Sequence, residues 1–357
     1  MSVATGRALE ALEVSARTIP TDEPESDGTL EWDSTTIVVV QAHAEGATGV
    51  GYTYTHDAAT RLIEDKLAPL ACRSDLDDLP ALWEELGREL RNIGRPGIGF
   101  MALSAVDIAL WDLKARLLGA PLVDVLGAVR EEAAVYGSGG FTSYSLERLS
   151  SQLRGWVEQG IPRVKMKLGR EPALDPARLD AARAAIGDEA ELYVDANGAF
   201  SREEAVEWGR RFAREWGVSW FEEPVSSADL EGLRLVRESV PLDVAAGEYA
   251  FVPADFRNLL EARAVDCLQI DVTRCGGYTG FLRAARLADQ YGLDVSAHCA
   301  PQASAHVCCA VPRFRHIEYF HDHVQVEELV FDGVLAPVEG SLRPDRGRSG
   351  NGLVVKT

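Results

Sequence analysis

The feature that most constrains the fold is a series of strand-like runs in the second half of the chain, each closing on a polar residue. These residues are Lys165 with Lys167, Asp195, Glu222, Glu248, Asp271, His298 and Glu318. From Lys167 onward they lie 20 to 28 residues apart, about the length of one strand and one helix. Alternating strands and helices form parallel sheets, and a TIM barrel carries its functional side chains at the C-terminal ends of several strands. The series therefore predicts an α/β barrel whose first strand lies at 135–137.

The first 130 residues have a different pattern, which predicts an antiparallel sheet followed by helices. Residues 36–41 are β-branched strand material, and residues 43–54 continue as a second strand after a turn. Residues 102–118 have the apolar periodicity of a long helix. Residues 21–34, with the sequence TDEPESDGTLEWDS, are polar and irregular, so we expect a surface loop there.

The charge of the chain excludes some classes of partner. Asp and Glu total 56 against 36 Lys and Arg, a formal net charge of −20. A surface this acidic repels phosphate backbones and anionic lipid, so we expect neither nucleic acid nor a membrane as a partner. No apolar run is long enough for a membrane span, residues 1–20 lack a signal-peptide pattern, and six cysteines without a C-x-x-C pair indicate reduced thiols. We therefore expect a cytoplasmic protein.

Three consecutive strand-end carboxylates, Asp195, Glu222 and Glu248, predict a metal site. Neighbouring strands lie roughly 4.8 Å apart, so these side chains can converge on one cation that relieves their mutual repulsion. Ligation by oxygen alone favours Mg²⁺, with Mn²⁺ next, and disfavours Zn²⁺ because no His or Cys joins the set. Taken singly, each of the three acids also fits an ordinary helix cap or a surface carboxylate.

The same strand count places two basic side chains across the barrel mouth from one another. Lys167 would end strand 2 and His298 strand 7, with Asp271 on strand 6 beside His298 to orient its ring. Lys165 shares a strand face with Lys167, so we expect mutual repulsion and the metal to lower the pKa of Lys167 towards neutrality. Glu318 on strand 8 would face the metal and, if protonated, donate a hydrogen bond to a developing oxyanion.

The motifs K-x-K, D-A-N, E-E-P and A-G-E, followed by a strand-end Asp and a strand-end His, resemble in this order the enolase superfamily, and within it the mandelate racemase group. Residues 105–127 also resemble a helix of that family's capping domain. The resemblance implies a (β/α)₇β barrel at 129–324 and an α+β capping domain at 1–128, completed by 325–357. It covers the chain from its first strands to Glu318.

The resemblance also implies a chemistry. The shared reaction is abstraction of the proton α to a carboxylate, which gives an enediolate stabilised by Mg²⁺ bound to Asp195, Glu222 and Glu248. Lys167 and His298 would be the opposed bases, and Lys165 and Glu318 would support the intermediate. Asn197 matches a position that often contacts the substrate. A symmetric homo-oligomer is the family-level expectation.

Three functional hypotheses follow for a small-molecule carboxylate substrate. The first is dehydration of a sugar acid to a 2-keto-3-deoxy acid, with His298 expelling the β-hydroxyl. The second is a racemase, epimerase or cycloisomerase that uses the same enediolate, and the third is a non-catalytic metal-binding barrel.

Specificity in this family comes largely from capping-domain loops, here residues 21–34 with Trp32 and a second loop around 52–56. The first loop holds six acids and no Lys or Arg, which favours a neutral or cationic substrate tail over a second carboxylate. Alternatively, these acids face solvent.

Overall fold

The structure, a computed structural model, describes residues 7–356 and divides them between a barrel and a smaller α+β cap. Residues 1–6 and 357 lie outside the described residues. The predicted outer limits of the domains and part of the segment 1–20 fall on them. The inner domain limits stay a prediction. Within the described chain, no helix combines the length and apolarity that crossing a bilayer requires.

The barrel is a closed ring of eight parallel strands, in which the last strand pairs with the first. The strands are β4 (Ala133–Gly139), β5 (Arg163–Lys167), β6 (Glu191–Asp195), β7 (Val218–Glu222), β8 (Asp243–Ala246), β9 (Cys267–Ile270), β10 (Asp294–Ala297) and β11 (Phe314–Phe320). Seven helices connect them, and these are Leu146–Glu158, Asp175–Ile186, Arg202–Trp216, Leu230–Ser239, Pro253–Glu261, Gly277–Gln290 and Pro301–Cys308. This is the predicted (β/α)₇β barrel.

The cap is an antiparallel three-stranded sheet packed on helices. Its strands are β1 (Ala11–Ser26), β2 (Glu31–Ala44) and β3 (Ala47–Tyr54). Its helical segments are Ala58–Leu62, Ile63–Leu67, Ala68–Ala71, Leu79–Glu89, Leu90–Asn92, Ile98–Leu117 and Leu122–Val125. The sheet approaches the longest helix closely, because a Cβ on Gly51 would lie 2.2 Å from the carbonyl oxygen of Ala105. Only a residue without a side chain permits that contact.

Strand β2 is buried on both faces and joins the two halves of the molecule. Val38 and Val40 belong to the apolar cluster of the cap, whereas Ile37 and Val39 belong to the cluster that fills the space around the barrel. This follows from the two-residue repeat of a strand, which sends successive side chains to opposite faces. The apolar run at 36–41 is therefore the central strand of the cap and also its contact with the barrel.

The chain after the barrel returns towards the cap. Helix His321–Val330 is followed by β12 (Phe331–Asp332), β13 (Ser341–Leu342) and β14 (Val354–Val355). β13 pairs with β4 of the barrel, whereas Arg116 of the cap donates to the carbonyl oxygen of Leu353 at 2.7 Å. The C-terminal segment thus contacts both halves.

The expectation of a surface loop at residues 21–34 is wrong. Most of this segment is strand, because β1 and β2 pair from Ala11 to Ser26 around a short turn, with an irregularity between Pro20 and Glu25. The turn is closed by Asp27, whose Oδ1 accepts from the N–H groups of Thr29 and Leu30 at 2.6 and 2.7 Å. The segment is a long hairpin that reaches over the barrel.

Candidate active site

Five strand-end side chains meet inside the barrel mouth as a buried network of charges. Lys165 Nζ lies 2.8 Å from Glu318 Oε1 and 3.3 Å from Asp195 Oδ2, and it also contacts Glu222. Lys167 Nζ lies 2.5 Å from Asp195 Oδ2. Lys165, Asp195, Glu222 and Glu318 are completely buried, because each lies at the end of, or inside, a strand of a closed ring.

Asp195, Glu222 and Glu248 lie together as the sequence predicts. Each offers one carboxylate oxygen, and these atoms all lie within 4.8 Å of one another. Glu248 Oε2 is buried and accepts no hydrogen bond within the described chain, so a carboxylate oxygen in the site has no hydrogen-bond donor. A buried anion of this kind is costly unless a cation neutralises it. The all-oxygen donor set therefore fits a hard divalent cation.

On the other side of the mouth, His298 and Asp271 form a dyad. His298 Nδ1 lies 2.7 Å from Asp271 Oδ2, and its Nε2 lies 3.4 Å from Glu248 Oε2 and 3.6 Å from Glu318 Oε2. Burial opposes the charge on His298, but Glu248, Glu318 and Asp271 outweigh it, so the pKa of His298 is raised. Asp271 also accepts from the N–H and the hydroxyl of Thr273, both at 2.7 Å.

Among the protein groups alone, the pKa of Lys167 is raised, so repulsion from Lys165 does not give the expected lowering, and the lowering by the metal stays a prediction. Burial is the largest single effect and lowers the pKa of Lys167, as Lys165 does, but Asp195, Glu318 and Glu222 together raise it more. The reason is distance, because Asp195 is in direct contact with Lys167 and its attraction exceeds the repulsion between the two ammonium groups. The sequence shows the two positive charges of Lys165 and Lys167, but it does not show the contact between Lys167 and Asp195.

The conditional role of a protonated Glu318 is not supported either. Burial raises the pKa of Glu318, but the positive charges around it, Lys165 first and then His298, lower it by more in total. The pKa of Glu318 therefore lies well below the usual range. Glu318 is therefore a carboxylate that accepts a hydrogen bond from the hydroxyl of Ser138 and holds Lys165. In this state it has no proton to give to an oxyanion.

Two charged residues beside this network, Arg274 and Glu223, were not predicted as site residues. Arg274 Nη1 lies 3.2 Å from Glu248 Oε1, and its Nε lies 3.3 Å from Asp271 Oδ2. Glu223 is buried, and its pKa is raised by burial and then by the neighbouring carboxylates, with Glu248 first. The available signal was sequence distance, since Arg274 follows Asp271 by three residues and Glu223 follows Glu222 directly.

A cleft of about 470 Å³ opens between the cap and this network. Lys167, Asn197, Glu248, Arg274 and His298 line its barrel side. The N–H of Asn197 donates to Asp195 Oδ1 at 2.9 Å, and the Asn197 side-chain oxygen is buried without a partner.

The cap side of the cleft comes from the hairpin and from the end of β3. Trp32 lines it, as do residues 54–56, and Asp27 is the acid of the segment 21–34 that does so. At the tip of the hairpin, a Cβ on Gly28 would lie 2.3 Å from the carbonyl oxygen of Ala196 and 2.8 Å from that of Leu168. The hairpin therefore rests directly on the ends of the strands that carry Asp195 and Lys167.

Comparison with known proteins identifies the family. Residues 16–127 match the model of the mandelate racemase/muconate lactonizing enzyme N-terminal domain, and residues 148–357 match the enolase C-terminal domain-like model. The chain belongs to the mandelate racemase/muconate lactonizing enzyme family. It is thus an enzyme of the enolase superfamily, as its strand-end residues predict.

Individual relatives of this family member differ in reaction. The crystal structure of a mandelate racemase/muconate lactonizing enzyme-like protein from Rubrobacter xylanophilus superposes with a TM-score of 0.96 at 57% identity, covering 98% of this chain and 97% of that one. L-talarate/galactarate dehydratase of Salmonella typhimurium is 31% identical over 328 residues, which are 88% of this chain and 82% of that protein. Other relatives are named as cycloisomerases and an epimerase.

Magnesium is the cofactor of this family member. A racemase from Streptomyces coelicolor A3(2), solved with bound magnesium, superposes with a TM-score of 0.91 at 28% identity and covers 97% of both chains. In this chain the buried carboxylate triple lies where one cation fits. The assignment of Asp195, Glu222 and Glu248 as its ligands stays a prediction, as do the roles of the two bases.

Proposed function

We propose that this enzyme removes the proton α to the carboxylate of a sugar acid and expels the β-hydroxyl, giving a 2-keto-3-deoxy acid. The observation that carries the proposal is the placement of two basic groups at opposite edges of one carboxylate cluster. Lys167 contacts Asp195 at one edge, and His298 lies beside Glu248 at the other. The dehydratases among the relatives support the same reaction class.

Asp195, Glu222 and Glu248 would hold Mg²⁺, which would supply positive charge that stabilises the enediolate and lowers the pKa of the adjacent Lys167. Lys165 and Arg274 contribute fixed positive charge beside the same carboxylates. An α-proton is very weakly acidic, so electrostatic stabilisation of the dianion matters more than the strength of the base.

Lys167 takes the α-proton, and the electron pair of the C–H bond moves into the carboxylate to form the enediolate. His298, held by Asp271, then gives a proton to the β-hydroxyl as the C–O bond breaks, and water leaves. The enol that remains takes a proton at C3, gives up its hydroxyl proton to water and becomes the 2-keto acid. Asp271 keeps the His298 ring oriented because Nδ1 is committed to its carboxylate at 2.7 Å.

A second reaction is racemisation or epimerisation, which the same two-sided placement favours. In that case His298 returns a proton to the opposite face of the α-carbon, and no water is lost. The two reactions share every step up to the enediolate and differ in whether the substrate carries a β-hydroxyl placed to leave.

The test is incubation of the enzyme with Mg²⁺ in D₂O and a stereochemically broad panel of aldonates and aldarates. We expect 2-keto-3-deoxy acid from at least one of them, and no product from the Lys167→Ala and His298→Ala variants. Deuterium at the α-carbon without loss of water would replace dehydration by racemisation or epimerisation. Neither product nor exchange with any acid of the panel would contradict both reactions.

A further inference from the structure

The cleft has two halves of different charge. Both cations that line its barrel half are already paired with carboxylates, Lys167 with Asp195 and Arg274 with Glu248. Within the described residues, neither Lys nor Arg lines the cap half. The paired cations lie at the reacting end of the cleft, so an anionic tail at the far end meets no lysine or arginine among the described lining residues.

The cations nearest to the hairpin are also paired. Arg148 lies 3.4 Å from Asp22 and 3.3 Å from Glu23, and Arg170 lies 2.8 Å from Glu31. These ion pairs hold the hairpin against the barrel and do not line the cleft. Three acids of the segment 21–34 are thus engaged with basic side chains outside the substrate space.

A carboxylate, by contrast, does line the cap half. Asp322 Oδ2 accepts a hydrogen bond from Trp32 Nε1 at 3.1 Å, and the same N–H lies 3.2 Å from Glu25 Oε2. Glu25 is completely buried, and Tyr144 donates its hydroxyl to Glu25 Oε1 at 2.9 Å. Burial and then Asp322 raise the pKa of Glu25 to about 9, so Glu25 is protonated at neutral pH.

Next to Asp322, His323 offers a neutral donor. Its ring stacks on Tyr54 with 3.4 Å between the ring centroids, and its Nδ1 accepts the N–H of Ala300 at 3.2 Å. Burial and then His298 lower the pKa of His323 to about 3, so the ring is neutral and its one proton is on Nε2. Within the described chain this Nε2–H donates to no other group, although only 8% of His323 is exposed. It is therefore a donor available to a ligand in the cleft.

We propose that the cap half of the cleft is a subsite for the uncharged polyhydroxyl tail of a monocarboxylate, in which His323 Nε2 donates to a tail hydroxyl and Asp322 repels a second carboxylate. Thr36 and Thr55 line the same half and add polar side chains to it. The inference takes the acid-sugar class from the proposed function and adds a choice within it, aldonate over aldarate. This differs from the aldarate named for the Salmonella relative.

The test is a binding measurement with matched acids. Calorimetric titration of the Mg²⁺-loaded enzyme compares a hexonate with the hexarate of the same configuration and with the 6-amino-6-deoxy hexonate, for several configurations. We expect the hexonate to bind about tenfold or more tightly than the hexarate, because like charges brought together at a binding site are strongly unfavourable. A hexarate that binds as tightly, or an amino acid sugar that binds more tightly than its parent, would overturn the proposal.

Two variants and a control show which residues cause the preference for the hexonate. Asp322→Asn should bring the dissociation constants of hexarate and hexonate closer together. The control Asp33→Asn, at an exposed position of the same hairpin, should leave the ratio of the two constants unchanged. His323→Gln should raise KM for the hexonate more than it lowers kcat. An unchanged ratio in a folded Asp322→Asn protein would also overturn the proposal.

Binding and turnover separate this inference from the proposed function. Preferential hexonate binding without α-deuterium exchange or product would uphold the subsite and contradict the reaction. Turnover with a preference for hexarates would uphold the reaction and contradict the subsite.

Discussion

His298 and His316 lie on neighbouring strands at opposite ends of the barrel, and their surroundings act on them in opposite directions. Both are at most 5% exposed. At the mouth, the carboxylates around His298 outweigh its burial and raise its pKa. At the floor, burial and then Arg163 and Arg315 lower the pKa of His316 to about 3. The same side chain is therefore held ready to carry charge at one end and kept neutral at the other.

The difference lies in how the charges are arranged. At the floor, Arg163 pairs with Glu191 and Arg315 pairs with Asp243 and Asp294, so each cation has its acid close by. The rings of Tyr136, Tyr193 and Trp220 surround His316, and Ser296 Oγ lies 2.9 Å from its Nδ1. At the mouth, acids outnumber bases, and Glu223 Oε1 and Glu248 Oε2 accept no hydrogen bond from the described residues. The mouth is arranged for chemistry and the floor for stability, as in other barrels of this type.

The largest expected difference between the two ends is in catalysis. His298→Gln should lower dehydration or α-deuterium exchange about 10²- to 10⁴-fold, the usual contribution of a general acid or base. His316→Gln should leave kcat unchanged, since His316 contacts only the floor. The measurement is kcat for both variants on the best acid of the panel, after circular dichroism has shown that both are folded. Equal losses would contradict the division into a reactive and a structural end.

Metal binding should stabilise the protein, and this stabilisation should depend on acids at the barrel mouth and not on acids at the floor. Adding Mg²⁺ to chelator-treated enzyme at about 100 times its Kd should raise the free energy of unfolding by about 2.7 kcal/mol. Glu248→Gln should reduce this gain, because it removes a charge from the carboxylate triple, and Asp243→Asn at the floor should keep it. Thermal unfolding with and without Mg²⁺ checks this, and loss of the gain in the floor variant would count against the assigned ligands.

Acid should destabilise the floor through His316. Its pKa is about 3 in the folded chain, against about 6.5 for an unperturbed histidine, so between these values the unfolded chain binds more protons. Stability is therefore complete above pH 6.5 and falls as the pH drops, by about 1.4 kcal/mol at pH 5.5. Urea unfolding at pH 7.5 and 5.5 should show a loss about 1.4 kcal/mol smaller in His316→Gln than in the wild type, because the buried His306 and His323 still contribute to both. An equal loss in both proteins would refute the assignment to His316.

The smallest effect is expected from a floor ion pair. Arg315→Ala removes contacts with Asp243 and Asp294, but the Arg315 side chain is 30% exposed, and water screens such pairs. We expect a loss of about 0.5–1 kcal/mol in urea unfolding and no change in kcat. A loss of activity without a loss of stability would mean that the floor communicates with the mouth.

The barrel and its strand-end residues could be predicted because each signal is local. A strand-like run closing on Asp195 or Glu222 is visible within a few residues, and the repeat of βα units gives the arrangement of the strands around the ring. The hairpin was missed because its evidence is not local. Strand β1 is largely half-buried or exposed, so it lacks an apolar alternation, and it exists through its pairing with β2.

Electrostatic details were predicted less well, since they depend on contacts between distant residues. The pKa of Lys167 is set by Asp195, 28 residues away, at 2.5 Å. Arg274 makes its contacts with Glu248 and Asp271 through the fold of a loop after β9. In both cases the residue types were visible in the sequence, and their distances were not.

The contact at Gly28 also limits how this enzyme can change over evolutionary time. Any side chain there would meet the carbonyl oxygens of Ala196 and Leu168, so the tip of the hairpin cannot be altered without moving the whole hairpin away from the strands. We therefore expect new substrate preferences to arise from residues beside the tip that line the cleft, such as Leu30 and Ser34. Because position 28 must stay without a side chain, sequence variation that alters the substrate is expected at the neighbouring positions.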